Sequence, residues 1–173
     1  MNKNEENKIR NAYVKLATQE YNIPGVHILG KARVYDNAKV SDNAQVSDNA
    51  RVSGNAKVWG NAKISGNANV FDDALVWDFA RVYGHALISK DAHISDRAEV
   101  YGDAQVFQKA SVLEDAQVFG HARVYGYATI RGNAQVFGKA NIYGYAIILG
   151  GVWDGSEGPI TEGTWNSPTE RIK

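Results

Sequence analysis

From Ala32 to Ala146 an alanine stands at every sixth position, and two residues after each one comes Val or Ile, from Val34 to Ile148. No insertion breaks the register, and a period this short leaves few ways to fold. In an extended segment residues two apart share a face, so each Ala and its Val or Ile point inward together while their neighbours point out. The positions between are turn residues, in pairs such as Asp42-Asn43, Gly54-Asn55, Gly84-His85 and Gly102-Asp103. These types accept left-handed backbone or bond to their own turn. Each hexad therefore reads as a short strand and a corner, which excludes helix over this stretch and makes the chain all-β.

The residue after each Val or Ile tells how many hexads close a coil. From Tyr101 these residues run Tyr101, Phe107, Leu113, then Phe119, Tyr125, Arg131, then Phe137, Tyr143, Leu149. Two aromatics and a non-aromatic recur every 18 residues, and Trp59 and Trp77 share that spacing, so a coil has three sides. Counting from Ile28 to Ile148 gives 21 hexads and hence seven coils, a prism roughly 34 Å long at about 4.8 Å per coil. The 17 glycines recur at fixed phase, which marks structure rather than disorder. With no cysteine, neither disulfides nor thiolate metal ligands are available, and packing must hold the fold.

The flanks break the pattern. Residues 1–25 place Ile9, Tyr13, Leu16 and Ala17 at helical spacing before Asn22-Ile23-Pro24-Gly25, which predicts a short helical cap over the first coil. The solenoid is expected over 26–152. In the tail, 153–173, the next aliphatic slot holds Asp154, and Gly151-Val152-Trp153 is echoed by Gly163-Thr164-Trp165. An open β-solenoid exposes strand edges and core at its ends, so an irregular capping turn is expected there, with the tryptophans packed on the last coil or on a neighbouring subunit.

An aliphatic residue followed four positions later by a small one, as in Val34 and Ala38 or Val40 and Ala44, resembles the left-handed β-helix family of hexapeptide-repeat proteins. The resemblance covers Val26 to Val152 and is strongest to uncharacterised Ala-x-Val-x-Gly-Asn arrays of bacterial and phage genomes. It implies a single-stranded left-handed parallel β-helix, although ordinary parallel crossovers are right-handed. It also implies a parallel homotrimer. Many relatives of that fold are acyltransferases in which a histidine activates the acceptor beside a protruding loop. No loop interrupts the coils here, so the acyltransferase reading stands as the enzymatic alternative. The γ-type carbonic anhydrases of the same fold bind zinc through three histidines, and the third is missing here because Gly126 stands in its place. No metal or cofactor is expected.

Two ladders of outward aromatics are the first candidate surface: Tyr83, Tyr101, Phe119 and Phe137 on one face, and Phe107, Tyr125 and Tyr143 on the next. Exposed apolar surface of that extent calls for cover, and burial between copies in a cyclic trimer is the expected use. Stacking within the chain and a platform for a ligand are the alternatives. A second candidate is the column His85, Asp103 and His121, which successive coils set at one edge, where imidazole and carboxylate could bind a ligand or move a proton. Asn, Asp and His are also the residues best tolerated in left-handed corners, the plainer explanation. Arg123, with Arg33 and Arg51 on its face and Arg81 and Arg131 on the others, could contact phosphate, or pair across coils as Arg81 and Glu99 would.

Lys plus Arg equals Asp plus Glu, 19 of each, so there is no broad positive field for nucleic acid. No apolar run approaches the roughly 20 residues of a membrane span, and the polar start does not resemble a leader, so the cytoplasm is the expected location and a membrane partner is not expected. These features predict a non-catalytic structural or binding module, a self-associating rigid prism that displays surfaces to a protein partner. A phage-type inhibitor that captures a host protein or small anionic ligand in intersubunit clefts is the other alternative.

Overall fold

A computed structural model describes residues 25–172. Strands β1 (His27–Ile28) to β21 (Ile147–Ile148) follow the repeat, each two residues long and six residues after the last. They stack into three parallel sheets, one per side of the prism. Register is constant: His27 lies opposite Gln45, Arg33 opposite Arg51 and Lys39 opposite Lys57. The 18-residue coil and its three sides are as the aromatic period implied. The helix expected before residue 25 lies outside the described residues.

The inward columns form one core. From Ala44 to Val136 every inward Ala, Val and Ile is fully buried, whereas Ala32 and Val34 in the first coil keep 7% and 4% exposure. Alanine recurs because it stands where the chain turns into each strand, while the branched residue two further on fills the middle of the prism. Burying a Val or Ile is worth about 1.5–3 kcal/mol, and the repeat delivers one such side chain every six residues.

The corners explain why glycine and aspartate share a slot. The residue two after each Val or Ile has positive φ, from 58° to 74° in the regular coils, whether it is glycine or a residue such as Asp48, Lys90, Gln108 or Glu114. Backbone bonds between coils use the corner residues on either side; Ser47 donates to Ile64 and Asn49 to Gly66, which leaves the N–H between them without a backbone acceptor in the coil above. Where the slot holds a side-chain acceptor, that group takes the N–H one coil on: Asp48 Oδ2 accepts from Gly66 at 2.9 Å, and Glu114 Oε2 from Gly132 at 2.7 Å. At those corners the strain of a left-handed non-glycine residue is offset by a hydrogen bond; Lys90, whose side chain has no acceptor, adopts the same conformation without that bond.

Beyond Ile148 the solenoid does not stop. Strand β22 (Val152–Trp153) joins the first sheet, Ile160 bridges to Ile142 on the second side, and β23 (Thr164–Ser167) joins the third. These segments add an eighth, irregular coil to the seven counted from the repeat. One fewer residue at the Gly150-Gly151 corner places Trp153, not Asp154, opposite Val136. Trp153 fills the inward slot and is 1% exposed. Its indole N–H donates to the Gly150 carbonyl at 2.7 Å, and that of Trp165 donates to the Glu162 carbonyl at 3.0 Å. The two Gly-x-Trp units therefore do the same job on two sides of the prism, with their rings edge to face at 6.0 Å. Strand β24 (Glu170–Ile172) folds back antiparallel on β23 and lies along that sheet's edge.

Two glycines separate corner conformation from corner packing. A Cβ on Gly102 would sit 2.9 Å from the Gly120 nitrogen, whereas one on Gly158 would meet nothing within 4 Å; both residues have positive φ. Gly158→Ala should cost about 1–2 kcal/mol, the left-handed penalty alone, and Gly102→Ala clearly more. Urea unfolding measures both, and equal losses would show that neighbouring corners are slack.

Candidate interaction surfaces of the prism

Because each slot recurs one coil higher, a residue type repeated in one slot becomes a ladder. Tyr83, Tyr101, Phe119 and Phe137 stack with ring centroids 4.8 Å apart and planes within 8°. Phe107, Tyr125 and Tyr143 do the same. The ring spacing is the strand spacing, so stacking comes with the fold. All seven rings are half-buried within the single chain. The Arg123 guanidinium lies over Phe107 and Tyr125, 5.5 and 5.7 Å from their centroids, which ties this arginine to the second ladder.

The most exposed rings are others. Phe79, Tyr127 and Tyr145 occupy the slot before each alanine, usually held by Asn, Asp, Lys or His, and are 61%, 51% and 71% exposed. Tyr127 and Tyr145 stack at 5.0 Å, with Lys109 over Tyr127 from the coil before. An aromatic in a slot otherwise polar is the sequence signal for these rings, which stand two residues beyond the ladder slot.

His85, Asp103 and His121 share one corner column as expected, but the left-handed residues there are Gly84, Gly102 and Gly120, so tolerance of that backbone does not account for the column. His121 Nδ1 is 3.6 Å from Asp103 Oδ2, and both side chains are exposed. His85 forms no ion pair among the described residues, and no group of three or more His, Asp or Glu among those residues is placed to hold a metal ion. Arg81 pairs with Glu99 at 3.3 Å, the cross-coil partner foreseen for it. Arg97 meets Asp115 with two bonds of 2.6 and 2.7 Å; this pair lowers the Asp115 carboxyl below its ordinary range, chiefly through the Arg97 hydrogen bond.

Two open hollows flank Phe79. One, about 300 Å³, lies over the first sheet and is lined by His27, Gln45, Lys63 and Arg81 with Asn43, Asn61 and Phe79. The other, about 510 Å³, is acidic, with Asp78, Asp96, Glu114 and the paired Arg97 and Asp115.

The family model described as the YdcK β-solenoid repeat matches residues 44–60 and 116–132. The two matches start 72 residues apart, four coils of 18, and each runs from an inward alanine on the first side to the positive-φ glycine of the third corner. The chain is thus similar to a repeat β-solenoid family over two single coils. Neither a curated protein nor a solved structure matches it.

Tyr83 provides a pH test of the first ladder. Its hydroxyl donates to Glu99 Oε2 at 3.0 Å. Desolvation first, then that hydrogen bond, pushes the phenol from 10.0 up to about 12. A folded-state pKa above the unfolded one favours the neutral phenol, so the contribution is whole below pH 10 and is lost as pH rises toward 12. Tyr83→Phe should remove the latest phenolate step in an absorbance titration and flatten the alkaline fall in stability; an unchanged late step would dismiss the Glu99 contact.

Proposed function

We propose that the chain is a non-catalytic structural or binding module, a rigid prism that self-associates as a homotrimer and presents its repeated slots to a partner protein or a small anionic ligand. The observation that carries this reading is the unbroken run of coils from His27 to Ile148. Catalytic groups are usually held on loops projecting from a scaffold, and here every residue of that run belongs to a strand or a tight corner. An acyltransferase would need an acceptor pocket and a histidine beside it. His85 and His121 lie on an exposed corner column, His27 and His93 on outward strand positions, and the two hollows are shallow.

Self-association is assigned to the corner carrying Tyr127 and Tyr145. Rotational symmetry sets a corner against its own copies, so coils bearing Lys31, Asp103 and Lys139, or Asp78, Asp96 and Glu114, or Asp73, Asp91 and Lys109 earlier in the tyrosine corner itself, would oppose like charges. The last two coils at the tyrosine corner present neutral, exposed rings beside Ile147, itself 36% exposed. The half-buried ladders brace the prism behind them.

Light scattering should give the mass of a trimer, and Tyr127→Ser combined with Tyr145→Ser should shift it to the monomer while the thermal transition of the prism persists. A monomeric parent protein would remove self-association from the proposal. Turnover of an acyl-coenzyme A with an amine or hydroxyl acceptor would remove its non-catalytic half.

A further inference from the structure

We propose that the hollow over the first sheet is a binding site for a short stretch of linear uronic-acid polysaccharide. Its floor is a strip of strand residues in parallel register, His27, Gln45, Lys63 and Arg81, one per coil over the first four coils. Its wall is the corner column Asn43, Asn61 and Phe79. The strip spans three coil spacings, about 14 Å.

The charge arrangement is the first reason. In the early coils each side of the prism sets like cations directly opposite one another: Arg33 and Arg51, Lys39 and Lys57, Lys63 and Arg81. Such pairs destabilise a sheet, so packing does not account for them. Arg81 finds Glu99 one coil above, whereas Lys63 has no carboxylate partner among the described residues. Of the three pairs, Lys63 and Arg81 line the hollow that also carries Phe79.

Its other groups narrow the ligand. The side-chain amides of Asn43, Gln45 and Asn61 make no hydrogen bond among the described residues, which leaves donors and acceptors for hydroxyls. Phe79 stacks on no other ring among the described residues and offers a face to the C–H groups of a sugar. Cations for carboxylates, amides for hydroxyls and one aromatic face together match an acidic sugar chain, whose residues advance along the chain by about one strand spacing. A nucleic-acid strand would stack its bases on a series of rings, and this hollow is lined by one, Phe79. The site lies where it does because the neighbouring corner carries the small Ser47 and Ser65 in these coils, and the aromatic ladder that fills that column starts only at Tyr83.

This inference rests on the reading of the prism as a display module, and the full-length chain titrated with trigalacturonate by calorimetry tests it. Saturable binding is expected, weakening as salt rises, at least tenfold weaker in Lys63→Glu and in Phe79→Ser, and unchanged in Lys57→Glu on a neighbouring side. Lys63→Glu relieves a like-charge pair, so its melting temperature should not fall and lost binding cannot be laid to misfolding. Absence of binding at millimolar trigalacturonate, equal binding of neutral maltotriose, undiminished binding by Lys63→Glu, or tighter binding of an oligothymidylate would each overturn the site. Cleavage of trigalacturonate that Lys63→Glu abolishes would support the site and overturn the non-catalytic reading, whereas failure to bind leaves that reading standing.

Discussion

Hydrogen bonds between coils govern this molecule. Leu29 donates to the Val46 carbonyl, Arg51 to Ala68 and Tyr101 to Val118, 17 residues ahead throughout the regular coils. A strand of two residues has no stability alone, and each coil satisfies its polar backbone only against the coils above and below. One additional residue at a corner would carry every later Ala and Val off the inward slot, because a one-residue shift reverses the face of a strand. The strict period is the consequence. It extends to the corners, where one backbone conformation recurs, met by glycine or by a residue such as Asp48 or Glu114 whose side chain bonds to the next corner.

The same stacking amplifies whatever stands in an outer slot. Aromatics become columns of parallel rings. Amides become chains, as where Asn37 donates to Asn55 and Asn55 to Asp73, at 3.3 and 3.0 Å. Unlike charges become cross-coil pairs, Arg81 with Glu99 and Arg97 with Asp115. Like charges are brought together just as faithfully, so the cations of the early coils stand out as residues that the ladder gains nothing by keeping.

The inward half of the structure was legible because period and burial coincide: alanine and branched aliphatic positions identified the strands and the core, and the outward aromatics with their 18-residue period identified the coil length and the three sheets. The last coil was not, because there the period gives way. Gly150-Gly151 drops one residue, Trp153 replaces an aliphatic residue, and Ile160 is held by a single bridge. Outward positions were legible as ladders but not as surfaces. Tyr101 and Phe119 cover one another's faces and are half-buried, whereas Phe79, at the corner on the other side of the same sheet, has Asn61 and Arg97 below and above it and stays exposed. Periodicity locates a residue on the prism, and only its neighbours in the column decide how much of it solvent reaches.

This bears on what such a prism can do. A ladder sets side chains at fixed separation along a line. Both proposed occupants, another copy of the prism and a linear polymer, carry a repeat of their own that such a line can match. The columns change character along the axis, from cations and small serines in the early coils to stacked rings in the later ones. The wide Trp153 and Trp165 then close the core where the aliphatic repeat ends. The early coils leave a charged hollow open beside Ser47 and Ser65, while the later coils fill the corresponding column with rings and present neutral tyrosines at another corner. One backbone repeat can in this way carry two surfaces of different chemistry, separated only by which side chain each coil places in the same slot.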